Sequence, residues 1–189
     1  MRVVGGRLKG RAIAGPRSDA IRPTSDRLRE AIFNVLAHGY GDPLPGARVL
    51  DLFAGTGAMG LEAISRGAAF AIFVDDGADA RGLVRQNIEA MGLGGTTRLF
   101  RRDATRLGPA GPNGPSSVAF CDPPYGRDLT ASALRGLDEG GWLLPGALLI
   151  LEERAGALLG LPPPFELLER RTYGDTDVVF ARYPGPALT

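Results

Sequence analysis

Asp51-Leu52-Phe53-Ala54-Gly55-Thr56-Gly57-Ala58-Met59-Gly60 decides the fold. The largely apolar run Arg48 to Phe53 leads in and predicts a strand; Ala58 to Arg66 leads out and predicts a short helix closed by Gly67. Glycines at such a turn let the helix begin close to the sheet and let backbone approach a ligand. Gly55, Gly57 and Gly60 spell G-x-G-x-x-G, yet about 0.6 chance matches are expected in a chain with 28 glycines. The letters weigh little; their place between a strand and a helix weighs more. Asp51 stands four residues before Gly55, where a carboxylate repels a pyrophosphate but accepts from an ammonium or hydroxyl.

Outward from this turn the chain alternates. Ala69 to Val74 predicts a second strand, Asp79 to Met91 a helix stopped by Gly92, and Thr97 to Phe100 a third strand. Val118 to Cys121 predicts a fourth strand, Thr130 to Leu137 a helix and Ala147 to Leu151 a fifth strand. Such alternation implies crossover units and a parallel sheet with helices on both faces. Glu166 to Tyr173 and Thr176 to Tyr183, joined at Gly174-Asp175, read instead as an antiparallel hairpin completing the sheet. Gly108 to Pro115 reads as a mobile loop, Leu161 to Pro164 as a stiff spacer and the chain from Pro184 as a frayed tail.

Upstream, Arg2-Val3-Val4 and Arg11 to Ala14 suggest a hairpin around Gly5 to Gly10. Ser25 is a candidate N-cap, and Leu28, Ile32, Val35 and Leu36 form the inward stripe of a helix ended by Gly39 to Pro43. Arg27, Arg29, Glu30 and Asn34 fall off that stripe, free to face a ligand or solvent. This gives a basic segment and helix over 1–40, packing on a domain over 41–189.

At 189 residues one domain is the default, large enough to bury a core without staples. A single cysteine excludes an internal disulfide and favours a reducing, cytoplasmic compartment. No apolar run reaches membrane-spanning length, and no signal-type segment follows Met1-Arg2. The net charge of +1 hides an asymmetry: residues 1–29 carry eight Lys/Arg against two Asp/Glu, and residues 30–189 carry fourteen against nineteen. A front end at +6 on a body at −5 suits a polyanion partner; on charge alone a solvated arm is as good a reading.

Asp122-Pro123-Pro124-Tyr125 leaves the fourth strand abruptly, because neither proline donates to a ladder. Pro124 keeps Pro123 out of the helical region, so the turn holds two carbonyls stiffly beside a carboxylate and a ring. That is what grips an amino group on a flat base. Chance expectation for these four letters is about 0.002 per chain, about 0.01 with chemically equivalent ends. Asp75 and Asp76 end the second strand, where a carboxylate accepts both ribose hydroxyls of an adenosine. Asp103-Ala104 ends the third, reaching an adenine edge or serving as a turn or cap before Thr105. Each acid alone has an equally good solvated or capping reading; four acids on one rim outweigh them. Cys121 and Trp142 read as packing, and His38 as a helix-end dipole partner. One His and one Cys offer no recognisable zinc set, and no metal is expected.

These residues resemble a known family. Asp51 to Ala63 is similar to its S-adenosylmethionine loop, and Asp122 to Tyr125 to the amino-methyltransferase motif. Arg2 to Arg11, then Arg22 to Asn34, narrow the resemblance to the bacterial 16S ribosomal RNA guanine-N2 methyltransferases. The similarity runs on to Tyr173-Gly174-Asp175-Thr176. It implies a Rossmann-like, seven-stranded class I fold and S-adenosylmethionine as methyl donor. It further implies cofactor contacts at Asp51, Phe53, Gly55, Gly57, Asp75, Asp76, Asp103 and Ala104, the ribose falling to Asp75 or Asp76. Asp122, Pro123 and Tyr125 would hold the base. The candidates for RNA contact are Arg7, Lys9, Arg11, Arg22, Thr24, Arg27 and Arg29. The substrate implied is small-subunit ribosomal RNA, naked or in a partly assembled subunit, met by a monomer away from membranes.

Two other classes share parts of the pattern. An adenine-N6 DNA methyltransferase uses the same amine chemistry but normally carries a sequence-reading domain, for which 189 residues leave little room. A nicotinamide-dependent oxidoreductase shares the glycine pattern but not Asp51 in the turn.

Overall fold

A 14-residue helix opens the regular structure because Ser25 caps it: its Oγ accepts from the Leu28 N–H at 3.1 Å. The chain, described over residues 1–126 and 128–188 of a computed structural model, then runs α1 (Asp26–Gly39), β1 (Arg48–Leu52), α2 (Ala58–Ser65), β2 (Phe70–Val74) and α3 (Ala78–Met91). After these come β3 (Thr97–Phe100), β4 (Ser116–Cys121), α4 (Leu129–Glu139), β5 (Leu143–Arg154), β6 (Glu166–Tyr173) and β7 (Thr176–Tyr183). The seven strands form one sheet in the order β3-β2-β1-β4-β5-β7-β6. The first five are parallel, and β7 lies antiparallel between β5 and β6, so the closing hairpin is the expected one.

Two apolar layers sandwich the sheet. Val49, Phe73, Phe120, Ile150 and Phe180 meet α1, α2 and α3 on one face. Leu50, Leu52, Ile72, Leu149 and Val179 meet α4, Trp142 and the 104–110 segment on the other. The period-two alternation of a strand therefore assigns Asp51, next after Leu50, to the α2 face. The chain leaves β1 for β2 on one side and reaches β4 on the other, so a crevice opens at the carboxyl ends of β1 and β4, the switch point of such sheets.

The N-terminal hairpin forms in short form: Arg2 bridges Ala12, and the N–H groups of Val3, Gly10 and Ile13 bond Arg11 O, Val3 O and Met1 O at 2.9, 2.8 and 2.9 Å, while Val3, Leu8 and Ile13 turn into the core. Two expectations change. Gly108 to Pro115 is packed rather than mobile: Ala110 is buried, Gly108 O accepts from Trp142 Nε1 at 2.8 Å, and Asn113 O accepts from Arg48 at 3.0 Å. β5 runs well beyond Ala147 to Leu151 because it pairs β4 on one side and β7 on the other. Among the described residues no helix is long and apolar enough to cross a membrane.

Candidate active site

The glycine turn is built by local backbone demands. Gly55 and Gly57 take positive φ of 59° and 81°, conformations that cost a side chain dearly. A Cβ on Gly60 would stand 2.4 Å from the Phe73 ring, so glycine lets α2 lie against β2. Phe53 also has positive φ, 54°, the kind of local strain that clusters at functional sites. Asp51 ties the turn down: its Oδ2 accepts from the Gly60 N–H at 3.0 Å.

Above this turn lies a cavity of about 1240 Å³, shared with the ends of β2, β4 and β5, the β6–β7 turn and the segment Asp19–Ser25. Asp122 reaches it because its N–H still bonds Leu52 O at 3.5 Å while the following prolines turn the chain away. Tyr125 closes one wall, with its hydroxyl 3.1 Å from Thr176 Oγ1 and the Arg22 guanidinium over its ring. Asp75 receives the Gly55 N–H at 3.0 Å on one oxygen and the Gly77 N–H at 2.8 Å on the other, which fixes its plane at the rim. Asp76 beside it is exposed and lines the same cavity.

The cavity is strongly acidic. Burial pushes the Asp51 carboxyl up to about 8, against the Gly60 N–H and with the help of the Asp122 and Asp75 charges. Burial, then the Glu152 charge, drives Asp122 well above the usual carboxylate range, with Arg22 opposing. Glu152 rises to about 7, again chiefly through burial. Such a floor favours a ligand that brings cationic or N–H groups.

Of the expected site residues, Asp51, Phe53, Gly55, Asp75, Asp76, Asp122, Pro123 and Tyr125 line this one cavity, and so do Arg22, Thr24 and Arg27. Gly57 does not: it is buried, and a Cβ there would stand 3.2 Å from the Phe73 ring and 3.4 Å from Val84, so its place is in the packing of α2. Asp103 and Ala104 also stay outside the lining. Asp103 Oδ1 accepts from the Thr105 N–H and hydroxyl, the turn role, which holds its pKa down, while Ala104 is buried in the α4 layer. Arg29 must be corrected as an RNA contact. Its side chain is fully buried, paired with Asp26 at 2.8 Å and Glu62 at 3.4 Å and bonded to the carbonyls of Arg2 and Thr24. Arg7, Lys9 and Arg11 are exposed on the same N-terminal segment, outside the cavity, with Arg11 bonding Ala90 O.

Three contributors escaped the sequence reading. Glu152, at the end of β5, is 5% exposed and faces the cavity; it follows an apolar run just as Asp122 does, and that parallel was its signal. Asn87 on α3 bonds Ala14 through both amide atoms (2.7 and 3.2 Å) and Thr56 O at 2.9 Å, stapling the N-terminal segment to the glycine turn. Ile21 packs over Gly55, close enough that a Cβ there would stand 3.3 Å from it. Only tertiary structure reveals the last two. Among the described residues no group of three or more His, Cys, Asp or Glu could hold a metal ion.

The family model described as "Conserved hypothetical protein 95" matches residues 1–182. The Ribosomal RNA small subunit methyltransferase D of Escherichia coli K12 is 35% identical over 176 residues, 92% of this chain and 85% of that one. A protein of Bacillus subtilis named "Putative rRNA methyltransferase YlbH" is 33% identical over 188 residues, 98% of this chain and all of that one. Among solved structures, the "Putative methyltransferase yhhF" of Escherichia coli superposes with a TM-score of 0.82 at 30% identity, covering 98% of both chains.

Proposed function

Since this chain belongs to the Conserved hypothetical protein 95 family, an S-adenosylmethionine-dependent methyltransferase family, we propose that it methylates the exocyclic N2 amine of a guanine in small-subunit ribosomal RNA. One observation carries the reading: the Asp122-Pro123-Pro124-Tyr125 corner and the glycine turn after β1 open onto the same cavity. The residues fit the methyl donor. Gly55 offers bare backbone, Asp75 and Asp76 offer acceptors for ribose hydroxyls, and Asp51 offers a buried carboxyl to an ammonium. When bound, S-adenosylmethionine supplies an electrophilic methyl on a sulfonium.

The chain's own residues then prepare the nucleophile. A guanine amine is conjugated with its ring and weakly nucleophilic. Accepting its N–H bonds at the Asp122 carboxylate and the Pro123 carbonyl turns the nitrogen lone pair away from the acceptors and into the cavity. Tyr125 stacks on a base taken out of its RNA context. The acceleration comes from positioning and from acceptors aimed at the positive charge that develops on nitrogen. Exposed Arg22 and Arg27 provide phosphate contacts at the entrance, and exposed Arg7, Lys9 and Arg11 extend the basic surface toward the far ends of α2 and α3; monomeric protein is sufficient for the reaction.

The test is transfer of a labelled methyl from S-adenosylmethionine to small-subunit ribosomal RNA, naked or in partly assembled subunits, with nucleoside analysis. N2-methylguanosine is the expected product. N6-methyladenosine, or label entering DNA instead of RNA, would overturn the assignment.

A further inference from the structure

We propose that Asp122 and Glu152 work as one acid pair holding a single proton, which stays on Glu152 and hydrogen-bonds toward Asp122, so that the Asp122 carboxylate is held as the acceptor for the incoming amine. The inference rests on the function proposed above and makes Glu152 a positioning residue. It starts from register. Cys121 of β4 pairs with Leu151 of β5 in a parallel ladder, so the next residues along, Asp122 and Glu152, lie side by side. Alternation directs both to the α2 face, the side of Phe120 and Ile150. It sends Glu153 the other way, where its carboxylate accepts from Thr130 Oγ1 at 2.6 Å on α4. Only one of the two strand-end glutamates can meet the corner, and the fold selects Glu152.

Two carboxylates thus share a space with little water. Glu152 is 5% exposed, and Asp122 lines the same cavity from the neighbouring strand. Among the described residues neither makes an ion pair. The surrounding groups favour protonation on balance: Asp51 adds negative charge from β1, and among the described residues Arg22 is the one cation that bears on both. Glu153 and the Tyr125 hydroxyl complete the charged and titratable surroundings. Adjacent carboxylates of this kind, one buried and one half-buried, do not both ionise readily at neutral pH; they keep one proton between them and titrate as a pair. An N–H approaching Asp122 favours the form with that carboxylate ionised and the proton on Glu152. Thr24 holds the arrangement from above, its Oγ1 donating to Glu152 Oε1 at 3.3 Å.

Two measurements test this. In the first, Glu152→Gln, which keeps a donor beside Asp122, is compared with Glu152→Met, which removes it, by single-turnover methyl transfer. The expected result is a single-turnover rate constant within about tenfold of wild type for Gln and a fall of about a hundredfold or more for Met, with S-adenosylhomocysteine affinity little changed in both. A wild-type rate constant in the Met variant, or a Gln variant as slow as Met, overturns the pair. In the second, carbon-13 NMR follows the Glu152 carboxyl of the full chain against pH. Two titration steps, with the upper one above the ordinary glutamate range, are expected in wild type, and one step in Asp122→Asn. A single ordinary step in wild type refutes the shared proton whatever the variants do. Absence of guanine methylation by the wild-type protein would refute the proposed function instead, and the NMR titration would still decide the shared proton.

Discussion

Arg22 holds its guanidinium over the Tyr125 ring, 5.1 Å from the ring centre. The two residues come from opposite ends of the fold, one from the segment before α1 and the other from the corner after β4. Their contact bridges the cavity mouth, so the wall expected to meet RNA leans on the ring expected to meet the base. Replacing Arg22 with Ala should lower RNA affinity and the single-turnover rate constant together, by about tenfold each, while Lys restores charge but not the planar guanidinium. Tyr125→Phe should retain the ring and most of the rate; Tyr125→Ala should lose about a hundredfold. Filter binding and single-turnover transfer read both.

Asp122→Ala should abolish methyl transfer. The cofactor side of the cavity is built on β1 and β2, so S-adenosylhomocysteine binding measured by calorimetry should survive. Comparable turnover in the variant would remove Asp122 from the chemistry.

Glu62 anchors the front of the molecule. Fully buried, it accepts from the Val4 N–H at 3.0 Å, from Arg66 at 2.9 Å and pairs with Arg29 at 3.4 Å. Glu62→Ala leaves two cations and a backbone donor without their acceptor, and should cost about 3–5 kcal/mol in urea unfolding. A loss under about 1 kcal/mol would show that water replaces the carboxylate.

Asp51 makes stability depend on pH. Its folded pKa, about 8, lies far above the value of an unfolded aspartate. Between about pH 4 and pH 8 the unfolded chain therefore releases a proton that the folded chain keeps, and rising pH favours unfolding. Asp51→Asn, which can still accept from Gly60, should flatten the fall in stability by up to about 1.4 kcal/mol per pH unit over that window. Urea midpoints at pH 5 and pH 8 in both proteins provide the check.

The parallel sheet was legible because each element carries a local signal. Glycine at 55, 57 and 60, the apolar run before Asp122 and the Gly174-Asp175 turn are short-range features that need no partner to be recognised. The limits of the reading were also physical. Arg29 stands three, four and seven residues before Ile32, Phe33 and Leu36, so helical spacing puts it on the buried face of α1; its charge argued for solvent, and pairing with Glu62 and Asp26 is what lets it stay inside. Asp103 follows a strand as Asp75 and Asp122 do, and Thr105 two residues on takes one of its two oxygens, the turn role that the sequence also allowed. Glu152 passed unnoticed because no turn motif follows it: β5 simply continues to Arg154, paired with β7.

Asn87 binds residue 14 and residue 56 with a single side chain, and Ile21 rests on the glycine turn. The front segment and the methyl-donor pocket are therefore fastened by the same pins. A protein assembled this way cannot exchange its front segment for another as independent modules are exchanged, since every graft would also have to rebuild the packing over the glycine turn. Evolution toward a new RNA target would then proceed by altering exposed arginines one at a time, with Asn87 and its two anchorages kept.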